Sequence, residues 1–110
     1  MPISVWVCDE RHQRLASLRD VLHLVPPPLP PGWYEPFVGP ADHHRFPMLA
    51  HVDPYGNTIF NRTQMSAVLE ELATIQPELD GVALSTARAL GVLIATHGHR
   101  PHRYLWFIGD

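Results

Sequence analysis

The chain has 110 residues, 45% of them hydrophobic and 17% charged, with a formal net charge of −3. That length suits one domain, 1–110, with one modest core, and the apolar content excludes a disordered chain. All eight basic residues are arginines, spread over positions 11, 14, 19, 45, 62, 88, 100 and 103 without a basic stripe, so no nucleic-acid partner is expected.

No apolar run reaches the ~18 residues that a bilayer span requires. The start, MPISVWVCDE, has neither the basic n-region nor the small-residue cleavage site of a secretion signal. The single cysteine fits a reducing compartment, so a cytoplasmic protein without a membrane partner is expected. The absence of lysine fits GC-rich bacterial coding, an association rather than chemistry.

ISVWVC at 3–8 reads as a first strand, rich in β-branched and aromatic residues. Ile3, Val5 and Val7 share one face, and Ser4, Trp6 and Cys8 the other, so the strand is apolar on both sides, as a central strand is. Leu15, Leu18, Val21 and Val25 recur near helical spacing, which predicts a helix over 11–24 with Asp9 as its N-cap. The prolines from 26 onwards end it. Residues 26–47 hold eight of the 12 prolines together with Trp33, Tyr34, Phe37 and Phe46. A loop that long usually has a use. PPPLPP within it suits a stiff polyproline II spacer.

DPYG at 53–56 predicts a tight turn, with Gly56 at its left-handed position. The expected hairpin pairs Val52 with Thr58 and Ala50 with Phe60. Asn61 followed by Gln64 reads as a capping box opening a helix over 62–75. Its apolar stripe is Met65, Val68, Leu69, Leu72 and Ile75, opposite Glu70 and Glu71. After Pro77 a second helix, 78–96, carries Glu78, Asp80 and Arg88 as its only charges, so it is either central or part of an interface. Gly98 suits its end. HRYLWFI at 102–108 closes the chain as another strand apolar on both sides. The order β-α-loop-β-β-α-α-β predicts an α+β fold: a four-stranded mixed or antiparallel sheet with the terminal strands inside and helices packed on it.

Several groups invite chemistry. His97, His99 and His102 stand within six residues, and imidazole binds zinc or nickel. The spacing fits neither a helical i,i+4 pair nor a Cys/His module, so a polar loop is the plainer reading, and no cofactor is expected. His43 and His44 beside Asp42 join such a site only if the long loop folds back. Cys8, followed by Asp9 and Glu10, reads as a buried strand cysteine of blunted reactivity. Asp53 is explained as a turn residue, and Glu70 and Glu71 point apart on their helix. With Asp110 they form no evident acid–base pair. No nucleophile elbow, phosphate-cradling glycine loop or dinucleotide fingerprint is present.

VDPYGNTIFNRTQM at 52–65 and HRYLWFIGD at 102–110 together resemble a group of short actinobacterial α/β proteins. These share a DxYGxTxFN segment and a terminal aromatic strand ending in Gly-Asp. The resemblance extends to residues 3–10 and implies no activity or catalytic residue.

The leading expectation is a non-catalytic protein-binding module, an immunity-like or regulatory partner. Its contact residues are Trp33, Tyr34 and Phe37 in the loop, Asp53, Tyr55 and Asn57 at the turn, and Arg62. Homodimerisation is expected, because the two-faced strands exceed what one helical layer covers. Two other classes stay open: a metal-dependent or small-molecule enzyme centred on the histidines, and a structural component of a larger assembly.

Overall fold

A computed structural model describes residues 4–17, 46–53 and 55–109. Four strands, β1 (Ser4–Cys8), β2 (Arg14–Ser17), β3 (Asn57–Phe60) and β4 (Tyr104–Ile108), form one antiparallel sheet in the order β2-β1-β4-β3. Helix α1 (Arg62–Ile75) and helix α2 (Gly81–Leu93) lie between β3 and β4 in the chain, joined by a 3-10 turn, Gln76–Glu78. A single π-helical turn, Ile94–Gly98, prolongs α2. The fold is α+β, and the two terminal strands occupy the sheet's centre, as their two-sided apolar composition requires.

Alternation sorts the sheet's side chains. Val7 faces Ala16 on one side and Leu105 on the other, and Leu105 faces Phe60. Val5, Phe107 and Thr58 form the next row. This inner face joins Met65, Val68, Leu72 and Ile75 of α1 and Ala87, Leu90 and Leu93 of α2 in one buried core. Phe60 meets Phe107 edge to face, with ring centroids 5.8 Å apart. Asn61 and Gln64 make the expected capping box, each side chain accepting the other's backbone N–H at 2.9 Å.

Two expected elements are replaced. The chain does not enter a helix at 11. Asp9 Oδ1 accepts the N–H groups of Arg11 and Gln13, and His12 takes a left-handed φ of 64°, so the chain reverses at once and Arg14–Ser17 pairs with β1. The helical spacing of Leu15 and Leu18 lost to the long β1 edge that this turn presents. Residues 18–24 of that expected helix lie outside the described residues.

The first arm of the expected hairpin is also absent. Leu49–His51 is a 3-10 turn, and β3 pairs with β4, Thr58 opposite Phe107 and Phe60 opposite Leu105. Val52 and Ala50 are therefore not their partners. The buried residues of this segment are Phe46, Leu49 and Val52, three apart, which is the period of a 3-10 turn and not of a strand. The period of two that pairing Ala50 and Val52 in a hairpin requires is not the one that burial follows here.

Glu71 holds that segment in place. It is buried rather than on the polar face of α1, and its two carboxylate oxygens accept the N–H groups of Met48 and Leu49, each at 3.0 Å. These donors have no partner within their own short turn, and a carboxylate is a strong acceptor for them. At the other end of the helical layer, Gly98 comes so near α1 that a Cβ there would stand 2.7 Å from Met65 Sδ. Gly81 opens α2 at a φ of +56°, which a larger residue would adopt only with strain.

Glu71→Gln is expected to lower unfolding stability by roughly 1–3 kcal/mol, because it removes the charge and one of two acceptors from adjacent buried donors. Glu70→Gln, on the exposed neighbour, is expected to change it by less than about 0.5 kcal/mol. Urea denaturation of the two variants checks this, and equal effects would contradict the assignment.

Candidate functional site

The turn ahead of β3 is built by Asp53. Its Oδ1 accepts the N–H of Tyr55 at 2.8 Å, and its own N–H donates to Thr58 Oγ1 at 2.9 Å. Gly56 completes the turn and accepts the N–H of Gly109 at 2.7 Å, which ties it to the end of β4. A rigid turn then carries a large exposed side chain: Tyr55 is 71% exposed. Asn57 and Ile59 follow at period two, and Ile59 is 45% exposed. Among the described residues β3 is an edge strand, and one side of its backbone has no strand neighbour there. Arg62 stands exposed at the first position of α1, beyond the Asn61 cap.

Asp53, Tyr55, Asn57 and Arg62 thus fall on one short stretch that opens the sheet's β3 edge. Trp33, Tyr34 and Phe37 lie outside the described residues, as do Asp42, His43, His44, Pro54 and Asp110.

The sheet's outer face continues inward from this edge. Ile59 stands opposite Trp106, and Trp106 opposite Trp6. The turn between β1 and β2 folds onto this row. Arg14 lays its guanidinium 3.3 Å from the centroid of the Trp6 ring, and the His12 ring meets Trp106 edge-on at 5.3 Å. The Trp106 Nε1–H is buried there with no hydrogen-bond partner among the described residues.

Cys8 is buried beneath the same turn. Burial pushes its thiol pKa up, Arg14 pulls it down, and Asp9 adds a smaller upward push. The direction agrees with the sequence reading, but burial leads and the neighbouring carboxylate follows. Asp9 itself is held below the usual carboxylate range, chiefly by the hydrogen bond from Gln13 and further by Arg11 and Arg103.

His97 is half-buried, while His99 and His102 are exposed. His102 Nδ1 lies 4.0 Å from Glu10 Oε2. Among the described residues no group of three His, Cys, Asp or Glu side chains is placed to hold a metal ion. Among them, too, no helix is long and apolar enough to cross a membrane.

Two features escaped the sequence reading. Glu71 could have been suspected from its place directly before Leu72 in the apolar stripe. The Arg14–Trp6 stack has no signal in the sequence, where Arg14 falls within the expected helix 11–24. No family model, curated protein or solved structure matches the chain.

In the native protein Cys8 is expected to resist a thiol-specific disulfide reagent at pH 8, and to react fully once urea unfolds the chain. Reaction of the folded protein at the rate of a free thiol would contradict its burial.

Proposed function

We propose that the protein is a non-catalytic protein-binding module that engages its partner through the β3 edge and the turn before it. The observation that carries this reading is the run Tyr55, Asn57, Ile59: exposed side chains at strand spacing, two of them large and apolar, on an open sheet edge. Natural sheets usually protect such an edge with lysine, proline or a bulge. β3 itself, NTIF, contains no charge and no proline. An extended segment of a partner can pair with the backbone side left open among the described residues, while Tyr55 and Ile59 supply apolar anchors. Asp53 and Arg62 add one charge of each sign at the rim, the polar surround that such contacts use. An immunity-like or regulatory protein of the cytoplasm is the role this surface suits. A second copy of the chain is one partner able to use it, edge against edge.

A photo-crosslinking phenylalanine analogue at position 59, introduced in the cells that make the protein, is expected to give discrete protein adducts. The same analogue at exposed Ser66 on α1 is expected to give none. Tyr55→Ala is expected to reduce the adduct from position 59 about tenfold while leaving stability within about 0.5 kcal/mol. Equal adducts from 59 and 66, or none from 59, would contradict the reading.

A further inference from the structure

An open cleft of about 300 Å³ lies at the opposite edge of the sheet. Among the described residues its walls are Leu15 of β2, Thr96 and His97 of the π turn, Arg100 beyond it, and Arg103 just ahead of β4. Two arginines, a histidine and a threonine from the one stretch 96–103 therefore line the cleft with Leu15, and none of these described walls is a carboxylate. Among the described residues, Asp9 is an acid on which Arg103 acts, and it also binds the N–H groups of Arg11 and Gln13. Glu10 faces His102. Arg100 makes no ion pair or hydrogen bond among the described residues.

A helix C-terminus attracts one cation by its dipole. That suits a basic residue such as His97 in the last turn, but does not account for two arginines from the following turn and strand approach. Thr96 and His97 both belong to the π turn, and such turns are frequent at functional sites.

We propose that this cleft binds the phosphoryl group of a small phosphate monoester. Arginine's planar fork matches a phosphate oxygen pair, and the Thr96 hydroxyl adds a neutral donor. Leu15, 42% exposed, offers an apolar wall for the ester's carbon body. The cleft's volume stands at the lower end for small-molecule sites, which suits a compact ligand.

The test is an amide and arginine side-chain NMR titration of the full chain with inorganic phosphate and with glycerol 3-phosphate, against sodium chloride at matched ionic strength. Saturable shifts are expected at Thr96, His97, Arg100 and Arg103 with both phosphate probes and not with chloride, the ester binding more tightly. Arg100→Gln, an exposed position whose change leaves the fold's amide spectrum intact, is expected to weaken binding about tenfold. Arg62→Gln, at the far edge, is expected to leave it unchanged. A linear drift shared with chloride, saturation at other residues, or equal loss in the two variants would overturn the proposal.

Discussion

The pairing of β1 with β4 is the constraint on which the rest of this structure depends. Residues from the two ends of the chain, Ser4 to Cys8 and Ile108 to Tyr104, run antiparallel in full register. This closes the longest loop in the molecule, and loop-closure entropy opposes it before any side chain is buried. The return comes from Val5, Val7, Leu105 and Phe107, which face the helices and are almost fully buried. Both outer strands then need this pair as a template. β2 adds to β1 after the Asp9 turn, and β3 adds to β4, its preceding turn tied to Gly109.

That arrangement puts different chemistry at the two edges. On the β3 side the chain exposes Tyr55 and Ile59 beside an open backbone. On the β2 side it gathers Arg100, Arg103, His97 and Thr96 around Leu15. The central pair separates the two surfaces, so substitutions at one leave the other's groups in place. Between them lies the aromatic row Trp6 and Trp106, with the Asp9–Gln13 turn laid over it through Arg14 and His12. Net charge of −3 hides this division, because it averages a cleft lined by arginines with carboxylates such as Asp9 and Glu71 that hold backbone N–H groups.

What the sequence made legible was whatever local chemistry decides. VWV and LWF are apolar at successive positions, so both strands had to be central. Asn61 and Gln64 announce α1 without reference to anything distant. What stayed hidden depends on contacts made across the fold. β2 exists because β1 offers an edge to a chain just reversed by Asp9 and His12, and its four residues carry no alternation of their own. The 46–52 segment follows a period of three, and the two donors at its start are satisfied by Glu71, more than 20 residues away. HGHRPHR offers histidines as metal ligands at sequence level, and in the fold its interleaved Arg100 and Arg103 line one cleft with His97. Tyr55, Asn57 and Arg62 were legible as a surface because turn chemistry placed them outside the core before any tertiary contact was known.

If the terminal strands organise the molecule, they must open only when all of it opens. Native-state hydrogen exchange measures this directly, amide by amide. The inter-strand amides of β1 and β4 are expected to exchange only at the free energy of global unfolding, with those of β2, β3 and the Leu49–His51 turn exchanging earlier through local opening. Protection of α1 that outlasts the β1–β4 pair would contradict the account, for the helical layer would then stand without the sheet centre it is said to require.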